Sequence, residues 1–154
     1  MSTTNWGNVE RAIVARAKLL IPETIRAAKL ATSEAAADKA TGSFARVAII
    51  RNPTGILNPS KLSVGRLGEL VQISWTVIVY GSTGLSDEDS RYSTDVVATA
   101  VRDKLLGHEP AGQVDNTFHL ILRSESSPEP FGSTGAQKLR MDFSLDQLMT
   151  ADVT

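Results

Sequence analysis

The sequence predicts an α+β domain, a mainly antiparallel four-stranded sheet with helices packed on one face, and three stretches carry that expectation. In the first, Val71, Ile73, Trp75, Val77 and Val79 alternate with Gln72, Ser74 and Thr76, the period of a half-buried strand. Ile78 and Tyr80 add apolar character to the other face, so the end of that strand is covered on both sides. In the second, the strand runs through the turn cluster Gly81-Ser82-Thr83-Gly84 into Ser86-Asp87-Glu88-Asp89, an N-cap followed by acids where helical N–H groups are unpaired. Tyr92, Val96, Val97, Ala100, Val101 and Leu105 then recur at three and four, the stripe of a helix that Gly107 closes and Pro110 stops. Ser93 is a competing N-cap that would shorten this helix by about two turns. In the third, Leu139, Met141, Phe143 and Leu145 alternate with Arg140, Asp142 and Ser144, an amphipathic strand.

The remaining elements follow in chain order. Val9, Ile13, Ala17 and Leu20 share one helical face, and Pro22 ends that helix. Glu23 to Ala40 holds seven alanines with Ile25 and Leu30, which predicts a second helix of high propensity and small apolar face. Phe44 to Arg51 is short and β-branched, the signature of a largely buried strand. Asn52 to Gly68 contains two Asn-Pro turns and three glycines without a stable period, and reads as a long loop. Asn116 to Ser124 alternates again and predicts a strand, and Ser124 to Gln137 reads as a protruding Ser/Pro/Gly loop. The expected order is α(α)ββαββ.

A chain of 154 residues is expected to form a single domain spanning 1–154, burying roughly 70% of its unfolded surface. Aromatics make up only 5%, so the core is expected to consist of Val, Ile, Leu and Ala. With no cysteine, disulfide frameworks, zinc thiolates and thiol catalysis are excluded together. A formal net charge of −1 supplies no general field for nucleic acid or a membrane surface. The polar start MSTTNWGNVER lacks the apolar core of a signal peptide, and no apolar run reaches the length of a membrane span.

The same residues offer three candidates for catalysis or cofactor binding. GSTG occurs at 81–84 and at 132–135, but neither copy carries the lysine or the spacing of a phosphate-binding loop, and acids follow the first. Asp87, Glu88 and Asp89 are consecutive, so on a helix they point about 100° apart and do not converge on one cation. His108 sits past a helix C-terminus and His119 on the less apolar face of a strand, where both have ordinary explanations. The expectation is therefore a protein that is no enzyme and has no cofactor. Partner contacts are expected instead from the two long loops, which exceed the usual connection length. The candidates are Arg46, Arg51, Lys61 and Arg66 around the first loop, and Glu129 and Phe131 in the second.

The helix NVERAIVARAKLLIP, the strands FARVAIIR and VQISWTVIVYGS, the helix DSRYSTDVVATAVRDKLLG and two terminal strands together resemble the tail terminator proteins of tailed bacteriophages. The similarity covers nearly the whole chain and is nearest to the branch found in Mu-like contractile-tailed phages. Its most specific piece is an alternating strand, a short Gly/Ser loop and then R-Y-x-x-x-x-V-x-x-A-V-R-x-x-L-x-G. The resemblance implies a structural virion protein of the tail and neck, assembled in the host cytoplasm. It implies a hexameric ring that caps the tail tube, ends its polymerisation and meets neck or connector proteins, with the sheath nearby. Genome DNA would pass through the lumen without sequence-specific binding, and no membrane is involved. Two other classes compete: another neck or adaptor protein that binds at a sheet edge, and a small nucleotide-binding or hydrolytic enzyme using GSTG with His108 or His119.

Overall fold

The computed structural model describes residues 6–18, 25–39, 45–53, 55–63, 66–81, 87–108, 119–131 and 136–152. The elements are α1 (Trp6–Lys18), β1 (Ile25–Ala31), α2 (Glu34–Lys39), β2 (Ala45–Arg51), β3 (Gly55–Ser63), β4 (Arg66–Tyr80), α3 (Asp87–Leu105), β5 (Ile121–Glu125), β6 (Glu129–Phe131) and β7 (Ala136–Asp152). The fold is α+β, and every strand pairing is antiparallel except β1 with β2. The main path through the sheet is β1-β2-β4-β7-β5.

Two long strands form the spine. β4 and β7 pair without interruption from Arg66 opposite Asp152 to Tyr80 opposite Lys138. The outer side of β4 is shared end to end: β2 pairs with Trp75 to Tyr80, and β3 with Arg66 to Gln72. The outer side of β7 is likewise shared, by β6 at Ala136 to Lys138 and by β5 at Met141 to Ser144. Beyond Ser144, no described strand lies on that outer side of β7.

One face of the sheet holds the main core. Val47, Ile49, Ile73, Trp75, Val77, Val79, Leu139, Met141, Phe143 and Leu145 meet Val9, Ile13 and Ala17 of α1 and Val97, Ala98, Val101 and Leu105 of α3. Trp75, Phe143, Val97 and Val101 thus share one cluster, as the alternation of both strands requires. Gly107 takes φ 75° at the end of α3, where its amide donates to the Leu120 carbonyl at 2.8 Å. The left-handed glycine that stops the helix thereby also fastens the approach to β5.

Four expectations from the sequence are corrected. Residues 25–39 are a strand followed by a one-and-a-half-turn helix, not a continuous helix. Alanine-rich propensity is overridden because β1 satisfies the open edge of β2 in parallel, while Ser33 caps α2 by accepting from the Ala36 amide at 3.1 Å. The resulting crossover lays α2 on the face opposite α1 and α3, over a second cluster of Ala37, Ala48, Ile50, Ile78 and Tyr80. Asn52 to Gly68 is no loop: β3 and the first part of β4 form a hairpin there, with register shifts near Ile56 and Lys61 that erase any period of two. Within Ser124–Gln137, β6 pairs with the start of β7, and residues 132–135 lie outside the described residues. Finally, Tyr92 and Val96 are not on the buried stripe of α3, being 71% and 45% exposed. The helix starts at Asp87, so Ser93 is interior, and Ser86 lies outside the described residues.

Candidate functional site

The sheet face beneath α2 carries a connected group of charged side chains, built from alternate residues of β7 and successive turns of α2. Lys138 Nζ lies 2.8 Å from Glu34 Oε1 and 3.1 Å from Asp38 Oδ2, with the lysine side chain 10% exposed. Arg140 bridges Glu34 to Glu129, meeting the latter at 2.6 Å. The Tyr80 hydroxyl donates to Asp38 Oδ1 at 2.5 Å, and the Arg46 guanidinium stacks 4.2 Å above the Tyr80 ring while donating to the Ala37 carbonyl at 3.1 Å.

Electrostatics follow from this geometry. The Arg140 hydrogen bond, joined by that of Lys138, holds the Glu34 carboxyl below its ordinary range. Burial pulls the Lys138 ammonium down, but its hydrogen bonds to Glu34 and Asp38 outweigh this and leave its pKa raised. Hydrogen bonding to Glu34 also raises Arg140. Burial first, and the bond to Asp38 second, push the Tyr80 phenol above the usual phenol range. Burial lowers Arg46. These groups are locked against one another, and their evident work is to hold a six-residue helix too short to persist alone.

Farther along the same face the sheet is polar. Asn52 Nδ2 donates to Thr76 Oγ1 at 3.0 Å, Thr76 donates to Asp142 Oδ1 at 2.8 Å, and Ser124 donates to Asp142 Oδ2 at 2.8 Å. This row crosses from the end of β2 through β4 and β7 to β5, and Arg123 adds a bond to Ser144 Oγ at 2.7 Å.

The six partner-contact candidates do not form one patch. Arg46 and Glu129 belong to the group around α2. Arg51, at the far end of β2, pairs across the other face with Glu10 of α1 at 3.0 Å, beside a cavity of about 310 Å³ that Ala31, Thr32 and Ile49 also line. Lys61 and Arg66 lie on the two paired strands β3 and β4, in backbone register with Leu67 and Ser63 respectively. Phe131 is placed by backbone pairing with Ala136. Glu34, Asp38, Tyr80, Lys138 and Arg140 were missed as members of a site; their only local traces are the four-residue spacing of Glu34 and Asp38 and the two-residue spacing of Lys138 and Arg140.

The residues considered for catalysis have structural settings. His108 closes α3, donating its amide to the Leu105 carbonyl at 3.0 Å and accepting from the Leu120 amide at 3.0 Å. His119 is exposed just before β5. Gly81 is buried and donates to the Gln137 carbonyl, whereas the rest of that GSTG and all of the second lie outside the described residues. Among the described residues no three carboxylate or imidazole groups are placed to hold a metal ion, and no helix is long and apolar enough to cross a membrane. No family model matches the sequence, and no curated protein matches it.

Proposed function

We propose that this chain is a structural ring protein of a phage tail, one that caps the tail tube, ends its polymerisation and joins the tail to the neck. The resemblance of its helices and strands to tail terminators motivates the reading, and one structural observation supports it most. β3, the first half of β4 and the last part of β7 form a three-stranded arm extending roughly 20 Å beyond the core residues Ile73 and Leu145. Among the described elements, β3 has substantial packing with β4 alone. A three-stranded arm of this length gains stability when another surface covers it, and an assembly supplies that cover.

Adding the purified chain to the polymerising tail-tube protein of the same genome tests the reading. Tubes should stop growing and carry a cap at one end. Unchanged tube lengths and bare ends would count against it.

A second reading, an adaptor that binds an extended peptide, is favoured by the outer side of β7 at Leu145–Asp152, which pairs with no described strand. That role predicts a defined stoichiometry below that of a hexameric ring.

A further inference from the structure

The carboxyl ends of the parallel strands β1 and β2 frame a hollow beside α1. From Thr32 the chain turns toward α2, on the face of the sheet opposite α1, and from Asn52 it runs on in the sheet to β3, so neither connection is directed across the α1 side. Crevices that take ligands form outside the carboxyl ends of parallel strands. Here the crevice is the cavity of about 310 Å³ that Glu10 of α1 lines with Ala31, Thr32, Ile49 and Arg51. Ile49 is fully buried and Thr32 exposed, which gives the cavity an apolar inner end and an open mouth. Its volume stands at the small end of ligand pockets, roughly 300–1,000 Å³, and suits a small molecule rather than a dinucleotide.

The polar wall is an ion pair that leaves hydrogen-bonding capacity unused. Glu10 Oε1 lies 3.0 Å from Arg51 Nε, with the glutamate side chain 12% and the arginine side chain 46% exposed. The attraction is one of charge alone, because Oε1 is buried and accepts no hydrogen bond from any described residue. An unmatched buried acceptor costs free energy that a donor recovers. Arg51 carries its N–H donors in a fixed fork, more of them than one carboxylate oxygen can use.

The two charges cancel, and that decides the class of ligand. A cation drawn to Glu10 meets Arg51, and an anion drawn to Arg51 meets Glu10, so neither gains a net field. A neutral group with a donor beside an acceptor satisfies both side chains. A carboxamide has that pattern, with its N–H toward Glu10 and its oxygen toward Arg51. Its aliphatic part then lies against Ala31 and Ile49.

We propose that this cavity is a binding site for a small carboxamide, held through Glu10 and Arg51. The site is complete within one copy of the chain and does not depend on the ring reading.

Isobutyramide, isobutyrate and isobutylammonium share one branched shape and differ in charge, and saturation-transfer NMR on the full chain compares them. Isobutyramide should bind roughly tenfold or more tightly than either ion, the factor that one hydrogen bond to a charged group supplies. Preference should then follow the charge of the site: Glu10→Gln should favour isobutyrate, and Arg51→Met should favour isobutylammonium. Melting curves check that each variant folds, and the half-exposed Arg51 makes its replacement the decisive one if Glu10→Gln unfolds. Equal signals from the three compounds, the mark of adventitious surface contact, would overturn the proposal. So would the absence of any signal from isobutyramide, or an order of preference that Arg51→Met leaves unchanged.

Discussion

Lys138 and Glu34, 104 positions apart in the sequence, meet at 2.8 Å and fasten α2 to the sheet. The apolar contact of α2 is slight, with Ala37 its one buried hydrophobic residue among those described, so the ions contribute much of its hold.

Replacing Lys138 with Met therefore has a predictable cost. Glu34 and Asp38 lose a shared donor while remaining half-buried beside the Tyr80 hydroxyl. The loss should be about 1.5–3 kcal/mol, the usual range for hydrogen bonds to charged groups. Urea unfolding should show a lower midpoint with little change in slope, and an unchanged midpoint would contradict a fastening role for Lys138.

The same contact sets a pH dependence. The Glu34 carboxyl titrates below its ordinary 4.5 in the folded chain, so its contribution is fully present above 4.5 and is lost as pH falls through the lowered value. Lys138 has the opposite sign: its pKa is raised, so its contribution is present below 10.5 and is lost at higher pH as the ammonium deprotonates. Melting temperatures of the native chain and of Glu34→Gln, measured from neutral to acid pH, should converge below pH 4.5. Parallel curves would show that Glu34 does not carry this part of the acid sensitivity.

How much of this arrangement was legible in sequence depended on how local its causes are. The alternation in β4 and β7, the acids opening α3 and the glycine closing it each arise within a few residues, and each is where the sequence predicts. β1 was illegible because its alanines favour a helix, while the reason for a strand is the open edge of β2, supplied by residues about 20 positions away. β3 was illegible because Pro59 and two register shifts remove the period that marks a strand. The stripe on α3 was misjudged because spacings of three and four fit two neighbouring faces, and only the packing excludes Tyr92 and Val96. The charged group around α2 left almost no trace, since its members come from strands and turns far apart in the chain.

Trp75 is fully buried between β2 and β7, in register with Arg51 and Phe143. Its replacement with Ala should cost about 3–5 kcal/mol, the usual cost of emptying an aromatic site in a packed core. Chemical denaturation measures this directly. A midpoint close to that of the native chain would show that the cluster beneath α1 and α3 does not depend on the indole.

Arg51 provides the contrasting case. Its ion pair with Glu10 is 3.0 Å long, but the arginine side chain is 46% exposed. Arg51→Ala should therefore cost less than about 1 kcal/mol, as exposed pairs do. A larger loss in thermal unfolding would mean that the cavity beside Ala31, Thr32 and Ile49 needs the aliphatic part of that side chain.

Closure of the chain into a ring is measured most directly by light scattering over a wide concentration range, with negative-stain imaging of the same samples. Ring particles of a single hexameric stoichiometry, formed alone or on the ends of tail tubes, are the predicted result. A compact monomer at every concentration, with no ring even when tail tubes are supplied, would contradict it.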